Sequence, residues 1–256
     1  MKVKSVLCRQ INDDIGTVEL AEIDLPSPGP GEICVRLKAC AVNFPDLLMI
    51  QGKYQFHPPL PFAPGTEAAG EVESVGTGVS GYAEGDSVIV SMRFGGFSEA
   101  IIVSESEVKK MPENMTYAQA ASYQTAYLTA YVALFRRGSL LSGESLLVHG
   151  ATGGVGMAAV DLGQYFGARV IATGGTDKKL EVVKSRGTVE TINYTLADGS
   201  LGGFKDKVKS LTQGKGADVI YDPVGGDVFD ESMRCINWGG RILTIGFTSG
   251  RWPLAP

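Results

Sequence analysis

Leu146-Leu147-Val148-His149-Gly150-Ala151-Thr152-Gly153-Gly154-Val155-Gly156 is the stretch whose reading decides the fold. Its apolar start predicts a short buried strand over about 145–149. Glycines then recur at Gly150, Gly153 and Gly156, and an apolar segment from Val155 to Phe166 predicts a helix. A strand, a glycine turn and a helix in that order turn the open amides of a helix N terminus toward a phosphate group. Gly150 and Gly153 are expected to make the tight turn and the close approach to the ligand, and Gly156 to let the helix pack near the strand. Glycine spacing alone also fits an ordinary strand-to-helix turn, so the context carries the reading.

A second strand, about 169–173, leads into Thr173-Gly174-Gly175-Thr176-Asp177-Lys178-Lys179. A site for NADH places an acid at the tip of this strand, on the ribose 2′-hydroxyl. No acid stands there; Asp177 follows, expected as the N-cap of the next helix. Small residues with Lys178 and Lys179 suit a 2′-phosphate, which favours NADPH over NADH. Both lysines read equally as solvated helix charges, so the missing acid is the stronger sign.

The chain has 256 residues, 44% hydrophobic and 20% charged, which suits a globular protein of two domains. A net charge of −5 with no basic run gives nucleic acid or an anionic membrane nothing to bind, and no apolar stretch has transmembrane length. Cys8, Cys34, Cys40 and Cys235 form no C-x-x-C pair and read as reduced thiols. The expected compartment is the cytoplasm, with a mitochondrial location as the alternative. His149 reads as a packing or turn residue and His57 as an exposed loop residue.

The texture changes near Tyr123. Before it, strands at about 31–40, 69–76 and 85–90 alternate with turns, predicting a β-rich domain over 1–122. After it, helices are expected at about 116–135, 155–166, 177–186, 203–212 and 227–237. Strands are expected at about 145–149, 169–173, 217–221 and 240–246, with a weak one near 188–192. That alternation predicts an α/β fold, a doubly wound parallel sheet over 123–256.

An ordered set of segments is recognisable. It comprises Val42-Asn43-Phe44-Pro45-Asp46, Gln51-Gly52-Lys53-Tyr54, Pro64-Gly65-Thr66-Glu67-Ala68-Ala69-Gly70, Gly85-Asp86-Ser87-Val88 and Gly95-Gly96-Phe97-Ser98-Glu99. Leu128-Thr129-Ala130-Tyr131, the glycine loop, Ile192-Asn193-Tyr194 and Asp222-Pro223-Val224-Gly225-Gly226 continue it. The chain resembles the zinc-less quinone oxidoreductase branch of the medium-chain dehydrogenase/reductase superfamily over essentially its whole length. The resemblance implies a GroES-like catalytic domain followed by a Rossmann NADPH-binding domain. Zinc-dependent relatives carry metal ligands at the positions of Asn43, Thr66 and Thr125. An amide and two hydroxyls do not supply a catalytic zinc, so no metal is expected.

The resemblance further implies direct hydride transfer from NADPH to a quinone or an α,β-unsaturated carbonyl. It places Asn43, Asp46 and Tyr54 beside the nicotinamide, with Tyr54 as a hydrogen-bond donor to a developing oxyanion. Asn43 and Asp46 read equally as caps of the helix ahead of Leu47, and Tyr54 as a loop aromatic packed on Phe56. Leu48 stands where the family often has a second tyrosine. On the cofactor side it implies Thr129 at the nicotinamide, Gly153, Gly154 and Val155 on the pyrophosphate, and Gly175, Lys179 and Tyr194 on the 2′-phosphate. Val224, Gly246 and Phe247 would lie near the ribose or nicotinamide. Val224 and Phe247 read nearly as well as strand-end core residues, Thr129 as a hydroxyl bonding its own backbone, and Tyr194 as a loop aromatic.

Two alternatives stay open: an enoyl-thioester reductase, and a protein that binds NADPH without turnover and serves as a redox sensor, a structural protein or a single-stranded-RNA binder. The partner expected is a small-molecule quinone or enone. Family members commonly pair as homodimers through a sixth strand of the nucleotide domain. Only five strands are legible before the chain stops at Pro256, so the sequence reads as a truncated member or as a fragment of a longer protein.

Overall fold

The computed structural model describes residues 1–187, 190–252 and 254. They form two compact units, Met1–Gln124 and Thr125–Pro256.

In the first unit β1 (Lys2–Leu7) pairs antiparallel with β2 (Glu19–Asp24). The main sheet is built from β3 (Glu32–Cys40), β4 (Glu67–Val75), β5 (Ser87–Ser91), β6 (Ala100–Ser104) and β7 (Val108–Lys110). α1 (Phe44–Ile50) lies between β3 and β4 in the chain, and α2 (Tyr117–Ser122) follows β7. The antiparallel order is β6-β3-β4-β5-β7. Its apolar face closes over Ile33, Val35, Val72, Val88, Val90 and Val103. Each such side chain, when fully buried, contributes about 1.5–3 kcal/mol.

The second unit runs α3 (Gln124–Tyr131), a π-helical turn Val132–Arg137, β8 (Ser145–Val148), α4 (Gly154–Tyr165), β9 (Arg169–Gly174) and α5 (Asp177–Lys184). It continues with β10 (Glu190–Asn193), α6 (Lys205–Leu211), β11 (Ala217–Asp222), α7 (Gly226–Ser232) and β12 (Ile236–Thr244). The five strands are parallel in the order β10-β9-β8-β11-β12. Along each inner strand neighbouring side chains leave by opposite faces. Leu146, Val148, Val170, Ala172 and Val219 pack with Ala130 and Leu134 and with Ala158 and Ala159 of α4. Leu147, Ile171 and Ile220 pack on the other face with Phe204, Val208 and Val228. This is the doubly wound sheet expected from the sequence, and the chain reverses its winding between β8 and β11. Such a reversal places ligands at the carboxyl ends of the strands.

Several boundaries differ from expectation. The helix expected at 116–135 is broken at Tyr123 and passes into the π-helical turn. The helix expected over 227–237 ends at Ser232, and β12 begins earlier than 240. The cause is a bulge: Ala217 pairs with Ile236, yet Val219 pairs with Arg241. Gly239, at φ +70°, absorbs the extra residues and hides the strand start from a periodicity reading. Of the strand expected near 188–192, residues 188 and 189 lie outside the described ones. Among the described residues no helix is long and apolar enough to cross a membrane.

Candidate functional site

Gly150 follows the end of β8 at φ +53°, a conformation that costs a side-chain-bearing residue energy. The Gly153 amide donates to the Gly150 carbonyl at 2.9 Å, closing the turn. Gly153 itself is extended (φ −88°, ψ 169°), so of the two glycines expected to make the turn only Gly150 takes the left-handed conformation. A Cβ at Gly156 would stand 2.2 Å from the Gly150 carbonyl oxygen and 2.8 Å from Ala151 Cα. The helix therefore presses on the loop rather than on the body of the strand as expected. Gly153 N-caps α4 without a side chain, and a Cβ at Gly154 would meet nothing within 4 Å. First-turn amides without a side-chain cap, at the positive end of a helix and beside the open space at Gly154, can hold an anion. These residues fit a dinucleotide pyrophosphate.

At the end of β9, the N-cap of α5 is Thr176, not Asp177 as expected: the Thr176 hydroxyl accepts from the Lys179 amide. Thr176 is extended and one position further out, whereas Asp177 already has its place in the first turn. The Asp177 carboxylate accepts from Asn193 Nδ2 at 3.2 Å. Lys178 and Lys179 are exposed, and neither makes an ion pair among the described residues. A Cβ at Gly175 would stand 3.3 Å from Thr195 Oγ1, so the tip runs beside the segment following β10. There Tyr194 is half-buried, its ring 6.3 Å from Phe204. Burial, and then the charge of Asp222, push its phenol pKa up.

Asp222 ends β11 fully buried. Its Oδ1 accepts from the amides of Val224 (2.8 Å) and Gly225 (3.0 Å), while Oδ2 has no partner among the described residues. Burial pushes its pKa up. The turn it clamps lies against the glycine loop, since a Cβ at Gly150 would stand 3.3 Å from Pro223 and 3.4 Å from Val224. Ile245 and Gly246 donate to the Asp222 carbonyl, and Ser249 donates to that of Val224, which brings Gly246 beside the same turn. Val224 packs on the Leu147–Ile220 core, as one of its two readings had it. Phe247 does not pack there; its ring lies 3.8 Å from that of Trp252. The carboxyl ends of the strands thus gather Gly150, the Gly153–Gly156 run, Gly175, Lys179, Tyr194 and Val224. Thr129 lies half-buried on α3.

In the first unit Asp46 is fully buried and accepts from the amides of Asn43 (2.7 Å) and Gly65 (3.0 Å). Burial raises its pKa, those two bonds oppose the rise, and the charge of Glu67 adds to it. Asn43 Nδ2 donates to Glu67 Oε1 at 3.0 Å. The capping reading of Asp46 therefore describes its bonds, while the Asn43 side chain is held by Glu67. Tyr54 is half-buried over Cys8, Met49, Ile50 and Phe62, and the ring partner of Phe56 is Phe94 at 6.1 Å. Among the described residues no three or more His, Cys, Asp or Glu side chains could together hold a metal ion.

Sequence reading missed the roles of Glu67, Thr176 and Asp222. The Asp-Pro-x-Gly pattern at 222–225 was a visible turn signal for the last. Glu67 stood in an apolar strand with nothing local to pair it, and its partner is remote in sequence.

Residues 29–113 match the alcohol dehydrogenase GroES-like domain family, and residues 154–255 match the zinc-binding dehydrogenase family. The quinone oxidoreductase-like protein 2 homolog of Nematostella vectensis is 38% identical over 255 residues, 99% of this chain and 68% of that protein. A quinone oxidoreductase structure from Pseudomonas syringae pv. Tomato DC3000 superposes with a TM-score of 0.88 at 30% identity, covering 99% of this chain and 76% of that one. A mycobacterial protein solved in complex with NADPH superposes with a TM-score of 0.87 at 29% identity, again covering 99% and 76%. With the glycine loop, the doubly wound sheet and the GroES-like unit in one order, the chain belongs to the quinone oxidoreductase branch of the medium-chain dehydrogenase/reductase superfamily of oxidoreductases.

Proposed function

We propose that the chain is an NADPH-dependent reductase of quinones or α,β-unsaturated carbonyls that works without a metal ion and resides in the cytoplasm. The observation that carries this reading is the pairing of a side-chain-free N terminus on α4, open at Gly154, with an acid-free β9 tip followed by two exposed lysines that make no ion pair among the described residues. The amides at Gly153, Gly154 and Val155 would hold the pyrophosphate. Lys179, Gly175 and Tyr194 would hold the 2′-phosphate, while Thr129, Val224, Gly246 and Phe247 would line the remainder. When bound, NADPH supplies the hydride; the protein supplies orientation and hydrogen bonds. The relative solved with NADPH supports this choice of cofactor.

A quinone or enone accepts hydride because the resulting negative charge is delocalised, so a hydrogen-bond donor suffices in place of a Lewis acid. The Tyr54 phenol is the donor assigned here. Asp46, with both oxygens engaged by backbone amides, acts as a positioning residue for Asn43 and Gly65, not as a proton carrier. Asn43, Thr66 and Thr125 do not fit a catalytic zinc: they offer neither thiolate nor imidazole, and the Asn43 amide is already bonded to Glu67. Stoichiometric zinc in the purified protein by plasma mass spectrometry would overturn the metal-free part.

The deciding experiment is stopped-flow loss of NADPH absorbance with a panel of quinones and enones. Saturable oxidation by members of the panel is expected. Tight NADPH binding with no turnover on any acceptor would make the chain a cofactor-binding protein instead.

A further inference from the structure

His149 immediately precedes the glycine loop and is fully buried, its ring 5.0 Å from that of Phe204. Its Nδ1 lies 2.8 Å from Thr173 Oγ1, and its Nε2 lies 2.8 Å from Ser232 Oγ. Both hydroxyl residues are themselves fully buried. Ser232 Oγ donates its proton to the Val228 carbonyl at 2.7 Å. A hydroxyl has one proton to give, so Ser232 accepts from Nε2–H. Nδ1 of the neutral ring is then an acceptor, and the Thr173 hydroxyl donates to it. Every proton in the chain of bonds has an acceptor: Thr173 to His149, His149 to Ser232, Ser232 to Val228.

Two members of this chain, Thr173 and His149, stand at the roots of different loops. Thr173 precedes the Gly174-Gly175-Thr176 tip. His149 precedes the Gly150–Gly156 turn. Ser232 is the last residue of α7, at the end of the helix opposite the turn clamped by Asp222, and anchors the imidazole from that side. The Ala151 amide also donates to the Thr173 carbonyl at 3.0 Å, joining the first two roots by backbone.

We infer that His149 is a positioning residue that sets the spacing between the pyrophosphate turn and the 2′-phosphate tip, and so sets the preference for a cofactor that must engage both. This rests on the NADPH reading above. NADPH would contact both loops at once, and the second contact is intramolecular, so its strength depends on the separation between them. NADH would engage the pyrophosphate turn but bring no phosphate to the tip, and adenosine 2′-phosphate would engage the tip alone. A residue that only held the fold together would affect all three ligands alike.

The test is titration calorimetry of NADPH, NADH and adenosine 2′-phosphate with the wild-type chain, Thr173→Val and Ser232→Ala. Thr173→Val keeps the side-chain shape and removes the donor to Nδ1. NADPH affinity is expected to fall about tenfold in Thr173→Val, while the other two ligands change by less than about twofold. Ser232→Ala should show the same selective loss, and it decides the matter if thermal melting shows Thr173→Val to be unfolded. Equal losses for all three ligands, or unchanged NADPH affinity, would overturn the inference. Failure of the wild-type chain to bind NADPH would instead overturn the functional reading and this inference with it.

Discussion

Acid should destabilise the second unit through one imidazole. His149 is fully buried, and burial pushes its pKa down from 6.5 to about 3. The unfolded chain takes up a proton at this ring as pH falls below 6.5, and the folded chain does not until about 3. The stability tied to the neutral ring is therefore complete above pH 6.5 and is lost progressively down to pH 3. At about 1.36 kcal/mol per pH unit, the loss is about 2 kcal/mol at pH 5 and about 4–5 kcal/mol at the acid end. Asp222 acts in the opposite sense, because burial raises its pKa and protonation favours the folded state. A comparison between wild type and His149→Gln cancels that contribution, since both proteins retain Asp222. Urea unfolding followed by far-UV circular dichroism at pH 5 and pH 7 supplies the numbers. The wild-type chain should lose about 2 kcal/mol more than the variant over that interval. Parallel pH dependences in the two proteins would show that His149 is not held neutral by the fold.

Two glycines of the cofactor loop should behave oppositely. Gly156→Ala drives a Cβ to within 2.2 Å of the Gly150 carbonyl oxygen. It should cost about 1–3 kcal/mol, read as a lowered thermal midpoint. Gly154→Ala, with nothing within 4 Å of the new atom, should leave the midpoint nearly unchanged but weaken NADPH binding, because the methyl occupies the cradle. A normal NADPH affinity in Gly154→Ala would place the pyrophosphate elsewhere. Lys179→Ala should weaken NADPH about tenfold while sparing NADH, from one lost charge-assisted hydrogen bond; equal effects on the two cofactors would leave Lys179 a surface charge. Tyr54→Phe should lower kcat and kcat/KM together with little change in NADPH affinity, and wild-type turnover in that variant would remove Tyr54 from the mechanism.

The strand–glycine–helix run, the alternation of elements after Tyr123 and the absence of an acid after β9 were all legible in the sequence. Each depends on local physics: the period of apolar residues, the freedom of glycine, and the charge at one tip. The doubly wound sheet followed from the same alternation, while the strand order β10-β9-β8-β11-β12 came from the structure. What only the tertiary structure decided are pairings between residues distant in sequence. The 227–237 segment was misread because the bulge at Gly239 is defined by pairing with β11, which no local pattern records. Asp177 lost the N-cap to Thr176 because the backbone angle at each position, not the residue type, selects the cap. Asp46 and Glu67 were recognisable as carboxylates, but their partners, the Gly65 amide and the Asn43 side chain, come from other segments. His149 shows the limit most clearly. Its position before a glycine loop was plain, yet its tautomer and its tie to Thr173 and Ser232 exist only once β8, β9 and α7 have packed, because a buried polar group takes its partners from whatever the fold brings within reach.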